Sequence, residues 1–253
     1  MRASTIPPRR EFKYLLTPDQ VVALEAQLQP WCALDENLGP TGTYPIRSLY
    51  LDTFDLRLYH ANDLETHDRF KVRVRTYPST PDLRVYLEIK RRTGDVIRKW
   101  RRRISPERWA EVAAARGAPT VGVDDPVAPF SNLCLRHALE PKVLVQYERR
   151  AWMGRFEAYA RVSVDTQIRA QAAERWSLGP QPSAWRALDA ADRTRTWGSI
   201  SVLELKFGER APSWMVSLVD HLGLSRQAYS KYGHGVDECY APTLSRAPAG
   251  GWS

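Results

Sequence analysis

From Arg69 to Arg103 the chain sets a charge at almost every second position: Arg69, Lys71, Arg73 and Arg75, then Glu88, Lys90 and Arg92, then Lys99, Arg101 and Arg103. Side chains along a strand alternate with period two, so K-V-R-V-R puts Lys71, Arg73 and Arg75 on one face and Val72 and Val74 on the other. In a single strand this pattern describes any half-solvated sheet. Three successive strands that repeat it constrain far more, because neighbouring cationic strands repel unless carboxylates such as Glu88 or a bound polyanion compensate. Arginine and lysine together suit phosphate, the first through a planar fork and the second as a point charge.

The 253 residues allow one large β-rich domain or two small ones, each able to bury a core. An apolar content of 43% with 26% charged residues is that of a folded soluble protein. The net charge of +8 and pI near 9.5 favour an acidic partner, whether nucleic acid, membrane surface or polyphosphate. Cys32, Cys134 and Cys239 are odd in number and lack metal-ligand spacing, which predicts unpaired buried thiols in a reducing cytoplasm. The N-terminal MRASTIPPRREFKY has no apolar core of a signal peptide, and no window approaches a membrane span, so a soluble, unexported protein is expected. No H-E-x-x-H, G-x-x-x-x-G-K-[ST] or G-x-G-x-x-G occurs, so any bound phosphate is held by side chains.

Residues 9–16 read as a strand, followed by a helix at 18–29 that Thr17, Pro18 and Gln20 open as a capping box. A strand at Ile46–Asp52 precedes a helical turn at Leu56–Tyr59. Strands at 69–77, 83–92 and 96–104, joined by turns at Pro78–Asp82 and Thr93-Gly94-Asp95, make an antiparallel meander. Ser105-Pro106-Glu107 opens a helix that ends near Gly117, and a short helix is expected at Leu133–Leu139. Strands follow at 142–152, 155–165 and 166–172, then a long irregular segment at 173–198, a strand at 200–207 and a helix from Pro212 to about Leu222. R-Q-A-Y-S-K-Y-G-H-G reads as helical, then irregular, with a disordered tail after it. The expected organisation is a flexible segment 1–8, one domain over 9–240 and a tail at 241–253.

About eight strands with alternating charge do not make a sandwich, whose inner faces are apolar. The fold class expected is α+β, an antiparallel eight-stranded barrel with a polar lumen and flanking helices; closure also removes sheet edges.

In order along the chain, R-R-E-F-K-Y, S-L-Y-L-D-T-F-D-L-R-L-Y, F-K-V-R-V-R-T-Y, L-E-I-K-R-R, Y-E-R-R-A-W, R-V-S-V-D-T, V-L-E-L-K-F and S-K-Y-G-H-G resemble the VTC domain. This is the polyphosphate polymerase domain of the vacuolar transporter chaperone complex, within the CYTH or triphosphate tunnel metalloenzyme superfamily. The resemblance covers about residues 9–236 and implies a tunnel whose wall carries basic residues for the triphosphate and acidic residues for a divalent metal. The E-x-E-x-K of the tunnel enzymes falls here on Arg9, Glu11 and Lys13; arginine in the first position resembles the polymerase branch more than the hydrolases.

Carried over position by position, Lys13, Arg73, Arg75, Lys90, Lys99, Arg101, Arg149, Arg161 and Lys231 match the family's phosphate-binding cations, and Glu204 its metal-binding glutamate. Tyr147 shares the face of Arg149, while Glu88, Lys206 and Arg226 complete the expected substrate-binding set with Arg9 and Glu11. Asn62 stands where eukaryotic polymerases carry arginine, so that contact is missing or supplied by Arg47 or Arg69. The resemblance implies transfer of the γ-phosphate of ATP to phosphate or a growing polyphosphate chain, with Mn2+ or Mg2+ on Glu204. Basic residues that alternate inward with valines speak against a nucleic-acid partner, and the lack of an apolar span against insertion in the membrane; a cytoplasmic setting with room for a membrane-protein partner is expected.

From the residues alone, Glu204 can equally neutralise Lys206 or Arg149, and Glu88 pair with Lys90 or Arg101. Asp52 and Asp55 read as turn and cap residues, His234 as conformational, and Trp31, Trp109, Trp152 and Trp214 as packing residues. Two other functions remain open: a module that binds polyphosphate without making it, and a tunnel triphosphate phosphohydrolase.

Overall fold

The structure, a computed structural model, describes residues 10–78, 84–118, 125–157, 159–194 and 198–244, without the side chains of residues 193 and 241–244. Arg9, the expected flexible segment 1–8, most of the Pro78–Asp82 turn and residues 245–253 of the expected tail lie outside it.

In chain order the elements are β1 (Arg10–Leu16), α1 (Pro18–Leu28), β2 (Cys32–Leu34), β3 (Tyr44–Asp52), α2 (Arg57–Asp63), β4 (Asp68–Thr76), β5 (Val85–Thr93) and β6 (Val96–Ile104). They continue with α3 (Pro106–Ala114), α4 (Ala128–His137), β7 (Glu140–Gly154), β8 (Ala160–Ala172), β9 (Arg186–Ala187), α5 (Ala191–Thr194), β10 (Ser201–Phe207), α6 (Ser213–His221) and α7 (Lys231–Leu244). The strand order is β1-β10-β8-β7-β3-β4-β5-β6, with β2 on β7 and β9 on β8. Among the described residues eight strands lie on this path, as expected, with β2 and β9 beside it, but the path is open rather than the expected closed barrel. Alternation reports which face of a strand is polar but not the shear that closes a barrel, and β2 and β9, with three and two residues, are too short to show a period.

The chain folds as two compact units. The first takes residues 1–44, 147–168 and 189–229. In it β1, β10 and β8 are antiparallel neighbours, and Tyr14, Leu16, Val162, Val164, Leu203, Leu205 and Phe207 turn to one core with Leu24 and Leu28 of α1 and Trp214, Met215 and Leu218 of α6. Thr17 caps α1 as the sequence predicts: Gln20 N–H donates to Thr17 Oγ1 at 3.3 Å and Thr17 N–H to Gln20 Oε1 at 2.9 Å. Trp152 and Trp214 are core residues, whereas Trp31 is 42% exposed and stacks on Trp214 at 6.5 Å. The expected strands 155–165 and 166–172 are one strand, β8, kinked at Gln167 with φ +50°.

The second unit takes residues 45–146, 169–188 and 230–253 and holds the meander β3-β4-β5-β6. Leu49, Leu51, Val72, Val74, Val85 and Leu87 form its core with Trp109 and Val112 of α3 and Phe130 and Cys134 of α4. The helix α4 begins five residues before the expected start at Leu133. Asp52 is fully buried and ends β3 as a cap: it accepts from the N–H groups of Leu58 and Tyr59, each at 2.8 Å, and from the hydroxyl of Tyr232.

The C-terminal motif reverses the expectation, since residues 227–230 are irregular and α7 starts at Lys231 and runs past Pro242. Two glycines in its first turns mask the helix in the sequence. One of them, Gly235, exists for packing: a Cβ there would lie 2.8 Å from Val143 Cγ1 and 3.3 Å from Ala170 Cβ. Gly235→Ala is expected to lose about 1–2 kcal/mol of stability despite the helix propensity that alanine adds. A lower urea midpoint at unchanged slope is the expected reading; a raised midpoint would show that α7 does not pack so closely.

Candidate functional site

In the second unit the polar face of the meander is ordered in cross-strand rows. Tyr50, Arg73, Glu88 and Arg101 stand opposite one another on β3, β4, β5 and β6, and so do Ser48, Arg75, Tyr86 and Arg103. Glu88 fastens the first row: its carboxylate lies 2.6 Å from Arg73 Nε, 3.0 Å from Arg101 Nε and 3.9 Å from Arg75 Nε. Arg73 also donates to the Tyr50 hydroxyl at 2.9 Å, Arg75 to Ser48 at 3.3 Å, and the Arg101 guanidinium lies 3.8 Å over the Tyr86 ring. One register step further stand Lys71, Lys90 and Lys99, and Lys71 Nζ donates to Ser230 Oγ at 3.0 Å. Lys90 and Lys99 are exposed, and Lys231 is buried at the start of α7.

These charges move the neighbouring acids. Burial alone would raise the Glu88 carboxyl, yet Arg73, Arg75 and Arg101 hold it down at about 2. Burial likewise works against the ionised phenol of Tyr50, and Arg73, Arg75 and Lys71 more than offset it, so that its pKa falls below the usual tyrosine value.

In the first unit a second charged face combines β1, β10, β8 and the end of β7. Glu11 pairs in register with Lys206 and that with Arg161; Lys13 pairs with Glu204 and that with Ser163. Arg149, almost fully buried, holds Asp165 through two bonds of 2.6 and 2.7 Å and Glu204 through one of 3.0 Å. Burial opposes its charge, and Asp165, with Tyr147 and Glu204, keeps it firmly protonated. Glu204 Oε2 also accepts from Lys206 at 2.8 Å, and its Oε1 lies 3.7 Å from Lys13, whose ammonium donates to the Tyr229 carbonyl at 2.8 Å. Tyr147 lies under Arg149, at 5.4 Å from ring to guanidinium, and Arg161 donates to Asp35 at 2.9 Å and Tyr44 at 3.1 Å.

Lys13, Glu11, Tyr147, Arg149, Arg161, Glu204 and Lys206 are thus gathered in one unit and Arg73, Arg75, Glu88, Lys90, Lys99 and Arg101 in the other. Arg226 joins neither group: its guanidinium covers the Phe12 ring at 4.2 Å, on the side of β1 opposite Glu11 and Lys13. Asn62 is structural, donating to the carbonyls of Leu58 at 2.7 Å and Phe70 at 3.0 Å. Neither Arg47 nor Arg69 stands in for an arginine at that place. Arg47 binds Gln146 and the Leu178 carbonyl on the core side of β3, and Arg69 binds the carbonyls of Glu65 and Thr66. Sequence reading missed Tyr50, Ser48, Asp165 and Asp35. The first three follow from parity, since Ser48 and Tyr50 alternate with Leu49, and Asp165 with Val164; Asp35 lies beyond a three-residue strand and gives no such signal.

A resident metal fits these residues poorly. Among the described residues no three His, Cys, Asp or Glu side chains come together as a metal-binding group, and the Glu204 carboxylate is already shared by Arg149, Lys206 and Lys13. The Glu88 knot has a measurable signature. A carboxyl lowered from 4.5 to about 2 on folding adds stability that is complete above about pH 4.5 and lost as pH falls through 2. Glu88→Gln is expected to lose on the order of 3 kcal/mol at pH 7 and to flatten the acid limb of the stability curve. An acid limb unchanged in the variant would overturn the assignment.

A family model described as the VTC domain matches residues 8–240. Solved structures similar to the chain include a Bacillus halodurans protein provisionally assigned as an adenylate cyclase, with 12% identity, a TM-score of 0.49 and coverage of 89% of this chain and 94% of that one. A Pyrococcus horikoshii protein follows at 9% identity and a TM-score of 0.45, with 93% of this chain and 99% of that chain covered. A Vibrio parahaemolyticus protein, also assigned provisionally as an adenylate cyclase, has 11% identity and a TM-score of 0.44 over 94% of this chain and 98% of that. No curated protein sequence matches. Among the described residues, no helix is long and apolar enough to cross a membrane. With its family match running through both charged faces and nearly the whole sequence, the chain belongs to the VTC domain family.

Proposed function

We propose that the protein is a polyphosphate polymerase, which moves the γ-phosphate of ATP to phosphate or to the end of a growing polyphosphate chain. The observation that carries this reading is the set of three arginines, Arg73, Arg75 and Arg101, held on adjacent positions of one sheet face by Glu88. In the reaction an acceptor oxygen attacks the γ-phosphorus, the bond from that phosphorus to the bridging oxygen breaks, and ADP departs. Little covalent chemistry is asked of the protein; positioned cations facing the equatorial oxygens supply most of the effect. The lysine row Lys71, Lys90 and Lys99 lies ~7 Å further along the strands, which suits an anion longer than a triphosphate.

In the same reading Lys13, Arg149, Arg161 and Lys206 of the first unit and Lys231 of the second are further phosphate ligands, as the family resemblance implies. A cytoplasmic setting and a membrane-protein partner to receive the product belong to the reading as well. Mn2+ or Mg2+ enters with the nucleotide, and no step is assigned to a metal on Glu204. That carboxylate's engagement by three cations favours a second reading, a module that holds polyphosphate without making it.

Purified protein given ATP with Mn2+ or Mg2+ is expected to form polyphosphate, seen on gels, together with ADP. Arg73→Ala is expected to reduce chain synthesis about tenfold or more. Phosphate released without chains would make the protein a triphosphate phosphohydrolase. No turnover with retained polyphosphate binding would make it the binding module.

A further inference from the structure

On β8 the residues Arg161, Ser163 and Asp165 alternate with the core residues Val162 and Val164 and so share the charged face. Their neighbours there are engaged: Asp165 and Glu204 hold Arg149, Lys206 holds Glu204, and Lys13 holds the Tyr229 carbonyl. Ser163 is the exception. It is 1% exposed, stands in register beside Glu204, and its Oγ has no hydrogen-bond partner. Arg161 Nε, two residues away on the same face, is also buried and without a partner, although Nη2 of the same guanidinium serves Asp35 and Tyr44.

Buried donors are normally satisfied, and two on one face call for a common acceptor. Other unpartnered hydroxyls, those of Thr76 and Ser131, lie elsewhere: Thr76 shares the parity of Val72 and Val74, and Ser131 sits on α4 next to Phe130. Ser163 alone of the three stands in a charged row. The guest it awaits must be rich in acceptors, because both unmet groups are donors; Lys13, Lys206 and Arg149, held by Glu204 and Asp165, stand beside the place and suit an anionic one.

We propose that Ser163 Oγ and Arg161 Nε form an oxyanion subsite that donates two hydrogen bonds to phosphoryl oxygens of a bound phosphate chain. The proposal rests on the polyphosphate reading of this face and adds a neutral donor to a set otherwise made of cations. A hydroxyl recognises the oxygen as an acceptor rather than as a charge, so its contribution persists when salt screens the lysines.

The test is calorimetric binding of inorganic triphosphate at fixed ionic strength, with thermal unfolding measured beside it. Ser163→Ala is expected to unfold at the same temperature or higher, because an unsatisfied buried hydroxyl is removed, while binding triphosphate about five- to tenfold more weakly. Arg161→Lys, which keeps the charge and loses Nε–H, is expected to weaken binding at least as far. A Ser163→Ala protein that binds as the wild type does would show that the hydroxyl takes no part in binding and overturn the proposal. A lowered unfolding temperature would do the same by revealing a structural partner. If wild type itself binds no triphosphate, the reading of the whole face falls, a result distinct from equal binding by wild type and variant.

Discussion

Arg73 on β4 and Arg101 on β6 face each other across β5, and the residue that stands between them is an acid, Glu88. Its carboxylate is the charge that gathers Arg73, Arg75 and Arg101 on one face of the meander. The carboxylate does more than cancel charge. By taking Nε of Arg73 and Arg101 it fixes each guanidinium plane, and the remaining N–H groups keep the forked geometry that fits phosphate oxygens.

The first unit solves the same problem by other residues. Arg149 is pinned by Asp165 and Glu204, and Lys13 and Lys206 close on the same Glu204. A buried charge without a partner is costly, so each carboxylate here has a structural duty before any ligand arrives. This is why a glutamate that resembles a metal ligand in sequence is a counter-ion in the structure.

Period-two alternation made much of this legible. Lys71, Arg73, Arg75, Glu88 and Arg101 share a face as their spacing requires, and Val72, Val74 and Leu87 fill the core behind them. Of the two partners expected for Glu88, Lys90 and Arg101, it meets Arg101 at 3.0 Å; what alternation does not supply is register, which adds Arg73 opposite at 2.6 Å. Polar residues without charge, such as Tyr50 and Ser48, drew no notice although their parity is the same. Arg226 stands at an isolated bridge to Tyr14 rather than in a strand with a period, so parity says nothing of its face. The helix α7 is hidden in the sequence because Gly233 and Gly235 depress helix propensity, the second of them at a place where close packing demands it.

The manner in which α7 is fastened ties the C-terminal part of the chain to the arginine row. Tyr232 stacks on Tyr50 at 4.9 Å and donates to Asp52, while Tyr50 accepts from Arg73 and Ser230 accepts from Lys71. Two of the four cation-bearing positions on β4 are thereby one residue removed from a helix far away in sequence. A protein ending before Ser230 would leave Tyr50 without the Tyr232 ring and Lys71 without the Ser230 hydroxyl, and so present a differently furnished face. The basic ladder written in residues 69–103 is complete only when some 130 residues of later chain have been made and α7 has docked.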